Sequence, residues 1–210
     1  MVSSNNHEVT RILRIDASGR KFSSLSREIA DNLINRLEKK HSQAKVITRD
    51  LIDSQLPFVD QKMINAFFTP AVERTEAQNQ HLEVSHTLID ELNSADIVVL
   101  AVPIYNFSVP AVLKAWIDLV CRAGVTFKFT ENGAVGLIRN CRAYAIVTSG
   151  GTEIGSNIDF LTSYLKHVFN FIGIEDLEII RADGRKNNQL KLELAMAQID
   201  RLLEAKALAY

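Results

Sequence analysis

Residues 96–102, DIVVLAV, decide the architecture. From 97 to 102 every side chain is apolar, so the polar/apolar alternation of a half-exposed strand is missing. A strand of this kind is covered on both faces and is expected at the centre of its sheet. Working outward, TRILRID (10–16), AKVITRDL (44–51), RAYAIVTSGG (142–151) and LEIIRAD (177–183) read as further short, buried strands.

Helical periods separate these runs. Leu25, Ile29, Leu33 and Leu37 recur every four residues and predict a helix over 25–39. A long helical pattern occupies 73–93. After the central strand, Val109, Val112, Leu113, Trp116, Ile117 and Val120 share one face. Leu161, Tyr164, Leu165, Val168 and Ile172 mark a helix over 158–171, and Leu192, Met196, Ile199 and Leu203 another over 188–207. Residues 52–72 hold Pro57 and Pro70 and no strong strand, so a connection of this length should carry short helical turns or a binding role. In FKFTENGAVGLI (127–138), Asn132-Gly133 between two extended pieces signals a hairpin.

Strict strand–helix alternation with continuously apolar strands gives an α/β fold with a parallel sheet. Five strands fit the flavodoxin-like doubly wound order 2-1-3-4-5, with helices on both faces and the hairpin as a small insertion. No linker or repeat divides the chain, so residues 1–210 form one domain, with 1–9 polar and flexible.

Composition narrows the function. The 210 residues are 47% hydrophobic, enough for a globular core without staples. Twenty-four basic and 25 acidic residues leave a net charge of −1, which speaks against a nucleic-acid surface. No apolar run reaches a membrane span, and no secretory signal is read at the N-terminus, so a cytoplasmic protein is expected. Cys121 and Cys141 lack zinc or CxxC spacing and read as buried, inert thiols. His7, His41, His81, His86 and His167 show no ligand spacing, so no metal is expected; His167 reads as a surface residue.

In a doubly wound sheet the ligand lies beyond the carboxyl ends of the strands, at the switch point. Three loops meet there. The first, ASGRKFSSLS (17–26), is neither GxxxxGK[ST] nor GxGxxG, yet it places Ser18, Ser23, Ser24 and Ser26 around a helix N-terminus. Free N–H groups, the helix dipole and hydroxyls favour an anion, although one serine would suffice as a plain cap. Arg20 and Lys21 either assist or are solvated. The second loop, Pro103-Ile104-Tyr105-Asn106-Phe107, is apolar and aromatic where a surface loop is normally polar, which suits a flat ligand. The third, Thr148-Ser149-Gly150-Gly151-Thr152, lets the backbone approach closely. A phosphate at one end and a flat ring at the other describe FMN.

With ASGRKFSSLS, the segment PIYNFSVPAVLKAWIDLVCRAGVTFKFTENGAVGL (103–137) and TSGG, the chain resembles the FMN-dependent NADH:quinone and azo-compound reductases, the azoreductase family, over residues 10–184. The resemblance implies that Ser18, Ser24 and Ser26, with the Leu25 N–H, hold the flavin phosphate. It implies that Ile104, Tyr105, Asn106 and Phe107, with Ser149, Gly150, Gly151 and Thr152, hold the ring. Ile104 stands where a methionine is common, and TSGGT lacks the arginine often found between Ser and Gly-Gly.

The activity so implied is ping-pong: NADH or NADPH gives hydride to the flavin N5, then a quinone or azo compound takes two electrons in the same pocket. The cofactor carries the hard chemistry, and no acid–base side chain is assigned. Backbone donors at Asn106–Phe107 and Gly150–Gly151 are expected to stabilise charge on the reduced ring. Phe127, Phe129 and Phe169 are expected near the substrate. The family, and surplus aromatic surface in these three with Trp116 and Phe171, point to a homodimer with one FMN per subunit. The alternative is a flavodoxin-like electron carrier without NADH-dependent activity of its own, which would normally show a strongly acidic face.

Overall fold

The computed structural model describes residues 9–184 and 187–205. Residues 1–8 of the segment expected to be flexible, and 206–207 of the last expected helix, lie outside the described residues. The parallel sheet contains β1 (Arg11–Asp16), β2 (Lys45–Asp50), β3 (Ile97–Pro103), β6 (Arg142–Thr148) and β7 (Asp176–Ala182) in the order β2-β1-β3-β6-β7. Setting aside the separate hairpin β4 (Phe127–Thr130) and β5 (Gly133–Gly136), this is the expected 2-1-3-4-5 winding.

β3 shows why a run of apolar residues belongs at the centre. Val98, Leu100 and Val102 enter one core with α3 (Glu76–Asn93), α4 (Ala111–Val120) and α5 (Phe160–Ile172). Ile97, Val99 and Ala101 enter a second core with α1 (Leu25–Lys40) and α6 (Asn188–Ala205). Because successive side chains point to opposite faces, a strand buried on both has no position free for a polar residue. All seven residues of β3 are buried, each large one contributing ~1.5–3 kcal/mol.

The excursion after β2 contains α2 (Gln61–Phe68) and a single 3₁₀ turn, Ala71–Glu73. Asp60 caps α2 by accepting from the Met63 N–H at 2.8 Å. α3 then begins at Glu76 behind a capping box of Thr75 and Gln78, three residues later than the helical period suggests. The buried Arg122 guanidinium holds this region to α3 and α4: it donates to Ser85 Oγ at 3.2 Å and lies 5.1 Å from the centre of the Phe67 ring. Burial, with Arg74 nearby, pulls its pKa down to about 10. The Thr126 hydroxyl donates to the Val120 carbonyl at 2.6 Å and accepts from the Arg122 N–H at 3.0 Å, closing the end of α4. Arg122 and Thr126 of the RAGVTF motif are thus structural anchors between α4 and the hairpin.

The hairpin is seated at its base. A Cβ on Gly136 would lie 2.1 Å from the Gly173 nitrogen and 2.3 Å from the Ile172 carbonyl carbon, so only glycine permits this approach. Phe127 packs on Phe171 of α5 with ring centres 4.3 Å apart.

Candidate functional site

β1 feeds β2 on one side and β3 on the other, so the switch point opens above Asp16, Pro103 and Thr148. Ala17 N–H donates to the Ala101 carbonyl at 2.9 Å and Ile104 N–H to the Thr148 carbonyl at 2.8 Å. These bonds bring the three loops around one cleft of about 250 Å³. Ser18, Ser24, Leu25, Ile104, Tyr105, Ser149 and Gly150 line it, together with Arg20, Asn188 and Lys191.

At one end is the start of α1. Ser24 occupies the N-cap position, but its side chain makes no cap hydrogen bond. Its Oγ lies 3.2 Å from Ser26 Oγ instead, and both hydroxyls are buried with Ser18. The first main-chain bond of the helix runs from the Glu28 N–H to the Ser24 carbonyl, leaving Leu25, Ser26 and Arg27 N–H groups without main-chain partners. The four serines therefore do not act as a plain cap. Ser23, exposed and at φ 56°, forms the lip.

Beneath this loop lies a charged floor. The Arg27 guanidinium donates to Asp50 at 2.7 and 3.1 Å, to Asp16 at 3.1 Å and to the Ser18 carbonyl at 2.9 Å, which fixes the loop from below. Arg14 also pairs with Asp16, at 3.0 Å. Burial of Asp16 pushes its carboxyl up despite both arginines. At Asp50 burial acts in the same sense but is outweighed, chiefly by Arg27, and the carboxyl falls below the usual range. Lys21 is paired with Asp53, so of the two loop cations only Arg20 lines the cleft.

At the other end the backbone is strained and the side chains are apolar. Tyr105 and Ser108 exchange N–H···O bonds of 3.0 and 3.1 Å, closing a two-residue turn. Asn106 and Phe107 sit at φ 47° and 72°, both left-handed, a pairing that costs energy for a non-glycine such as Phe. Among the described residues the N–H groups of Asn106, Phe107 and Gly150 have no intramolecular partner. The Gly151 and Thr152 N–H groups donate to Ser149 Oγ at 3.2 and 2.8 Å, so Gly151 is not a free donor here. A Cβ on Gly150 or Gly151 would meet nothing within 4 Å, which is open space beside the loop. Phe160 N–H donates to the Phe107 carbonyl at 3.1 Å, and Phe107 and Phe160 remain 51% and 58% exposed.

The expected substrate aromatics are not gathered at this cleft. Phe169 is wholly enclosed in the core on the inner face of α5, so it has no surface to offer a substrate. Trp116 is likewise interior, which removes both from any surplus aromatic surface. Phe127 is buried and meets Phe129 edge-to-face at 5.4 Å, while Phe129 is 74% exposed. Lys191 escaped the sequence reading. It stands one turn into α6, where a lysine in an amphipathic pattern reads as solvated, yet it is buried against Ser149. The signal was its stripe: Lys191, Ala195 and Ile199, four residues apart, form the buried face.

Ser26, Asn106, Phe107, Gly151 and Thr152, also expected here, do not line the cleft; the residues that do suit FMN on their donor set, with an uncapped helix start and the Ser18 and Ser24 hydroxyls for a phosphate, and the Gly150 amide with Ile104 and Tyr105 for a ring. Burial drives the Cys121 and Cys141 thiols up to about 12. No helix among the described residues is long and apolar enough to cross a membrane.

Comparison with known proteins agrees. Residues 10–203 match the sequence profile of the flavodoxin-like fold. An FMN-dependent NADH:quinone oxidoreductase 1 of Hahella chejuensis is 51% identical over 175 residues, 83% of this chain and 85% of that protein. An FMN-dependent NADH:quinone oxidoreductase of Erythrobacter litoralis is 42% identical over 92% of this chain and 99% of its own length. The crystal structure of an FMN-dependent NADH-azoreductase from Bacillus anthracis in complex with FMN superposes with a TM-score of 0.83 at 26% identity, covering 95% of this chain and all of that one. The chain belongs to the flavodoxin-like family of FMN-dependent NADH:quinone oxidoreductases and azoreductases.

Proposed function

We propose that this protein is an FMN-dependent NADH oxidoreductase that reduces quinones to hydroquinones and cleaves aromatic azo compounds. The observation that carries the reading is the cleft's two-ended chemistry: an uncapped α1 start where Ser18 and Ser24 line the cleft with Ser26 buried beside Ser24, and, across from it, Ile104, Tyr105 and the free Gly150 amide. FMN held here would supply hydride chemistry, carrying two electrons per NADH to the acceptor with protons from solvent, one round for a quinone and two for an azo bond, with donor and acceptor using one pocket in turn.

The chain's own residues bind and orient. Ser18, Ser24, Leu25 and Ser26 hold the phosphate through hydroxyls and main-chain N–H groups. Ile104, Tyr105, Asn106 and Phe107 line one side of the ring, and Ser149, Gly150, Gly151 and Thr152 the other. The unpartnered Asn106, Phe107 and Gly150 N–H groups point preorganised dipoles toward developing negative charge. Phe129, with Phe127 behind it, lies away from its own cleft and would offer its aromatic face to a flat acceptor in the cleft of a second subunit.

The functional unit is a homodimer. The exposed apolar rim of Tyr105, Phe107, Ile158 and Phe160 is a surface that a second copy would cover. A reducing cytoplasm suits its two free cysteines.

The test is the visible spectrum of the purified protein, followed by NADH oxidation with a quinone. A yellow protein that turns over is expected, and a colourless one that takes up no FMN overturns the reading. Bound FMN without NADH oxidation would favour the electron carrier. Sedimentation of the FMN-bound protein at 23.5 kDa would refute the dimer.

A further inference from the structure

The phosphate end of the cleft is built from neutral donors, yet a phosphate monoester carries close to two negative charges at neutral pH. Among the described residues, the cations nearest this end are nearly all engaged. Arg27 is held by Asp16 and Asp50, Arg14 by Asp16 and Asp31, and Lys21 by Asp53. Arg20 lies at the exposed rim. The fourth-strand loop, from Thr148 to Thr152, has no charged residue.

Lys191 differs from all of these. It enters from α6, which packs beside α1 on the same face of the sheet, and lines the same space as Ser18, Ser24 and Leu25. It is 6% exposed. Its Nζ donates one bond, to the Ser149 carbonyl at 2.9 Å. Among the described residues no carboxylate pairs with it. An ammonium has three donors, so two remain for another acceptor. A buried cation without an anion is costly, and the buried arginines of the floor are paired with acids. A chain that keeps a buried lysine facing its ligand cleft has left it an anion to meet.

We infer that Lys191 is the counter-ion of the cofactor's phosphate, and that it makes the site select FMN over riboflavin, which shares the ring but lacks the phosphate. The inference rests on the flavin reading of the cleft. Lys191 would then join two parts of the site: one N–H holds the Ser149 loop beside the ring, and the others meet the phosphate oxygens. The alternative is a structural clamp, in which Lys191 serves the Ser149 loop alone.

Titrating apo-protein with FMN and with riboflavin, each followed by flavin fluorescence, separates the two. Lys191→Met should lose about ten- to a hundredfold in FMN affinity, the range for a hydrogen bond to a charged group, and far less in riboflavin affinity, which feels only the freed Ser149 carbonyl. Its FMN affinity should also depend less on salt than the wild type's. Lys191→Arg should keep most of the FMN preference. Lys191→Gln retains a donor for the Ser149 carbonyl without the charge, so it gives the same reading should the methionine variant fold poorly. Equal loss of both flavins in these variants, with circular dichroism unchanged, would mean a clamp and overturn the inference. Unchanged FMN affinity would overturn it too. A wild type that binds neither flavin would remove the flavin reading itself; a wild type that binds both equally would leave that reading and remove only the role of Lys191.

Discussion

Two helices, α1 and α5, begin at the same edge of the sheet, and their first turns are finished differently. At α5, Asp159 accepts from the Leu161 and Thr162 N–H groups, both at 3.0 Å, from Gly155 N–H at 2.8 Å and from the Thr162 hydroxyl. A carboxylate fills that helix start and repels any other anion. At α1 the N-cap Ser24 leaves the same groups open. Of these two helix starts one is closed and one is open, and the open one faces the cleft. On the proposed reading, an anion site arises here by withholding an ordinary cap rather than by adding a special motif.

The sharpest way to break this contrast is to close α1. Ser24→Asp installs the missing carboxylate, and FMN affinity should fall more than about a hundredfold, the loss of charge-assisted bonds compounded by repulsion. The apo-protein should meanwhile gain up to ~1 kcal/mol from the new cap. Calorimetric titration and a thermal melt on one preparation read both; unchanged FMN binding would show that the phosphate lies elsewhere.

The next effect lies at the far end of α5, where the hairpin is seated. Gly136→Ala drives a methyl into the backbone at Gly173 and should cost ~3 kcal/mol in chemical denaturation. A neutral result would mean that the hairpin does not pack there in solution.

Opening α5 should do less. Asp159→Ala removes its cap, at ~1–2 kcal/mol. Burial works to raise the Asp159 carboxyl, but bonds from Thr162, Gly155 and Leu161 outweigh it, so its pKa lies below the usual carboxylate range. The folded value is depressed, so this stabilisation is present above ~3.9, the unfolded value, and is lost as pH falls through the folded one. The gap between wild type and variant should therefore be widest near neutrality and close in strong acid; a gap that widens on acidification contradicts the assignment.

The smallest effect belongs to Phe129→Ala. With the ring 74% exposed, stability should change by less than ~0.5 kcal/mol. Quinone KM should rise severalfold, the ~0.5–1.5 kcal/mol of an aromatic stack, while FMN content stays full. Unchanged quinone kinetics per bound flavin would exclude the ring from the acceptor site.

Sequence patterns revealed the sheet because burial on both faces leaves a mark that nothing else produces, as DIVVLAV does. They gave α2 only as one of the short helical turns expected over 52–72, without its bounds, since QKMINAFF is too short for a helical period to stand out; Asp60 three residues before Met63 was its cap signal. Phe127, Phe129 and Phe169 were legible as aromatics but not as inside or outside. Strand and helix periods give a side chain's direction relative to its own element, and what lies in that direction is tertiary. Lys191 failed for the same reason in reverse: α6 is amphipathic, and a lysine on such a helix is normally solvated. The serine loop was readable as an anion site, but only the geometry of Ser24 shows that it does not cap its own helix.

The Gly136–Gly173 contact also makes the hairpin a lever. Its base is clamped to α5 by backbone against backbone, and each arm is four residues long, from Phe127 to Thr130 and from Gly133 to Gly136. At ~3.3 Å per residue the arm is ~13 Å, so a rocking of ~10° about the clamp would displace the Glu131-Asn132 tip by ~2 Å. Phe129, midway along, travels about half as far. Stiffness at one glycine pair therefore limits how far the exposed Phe129 ring can swing.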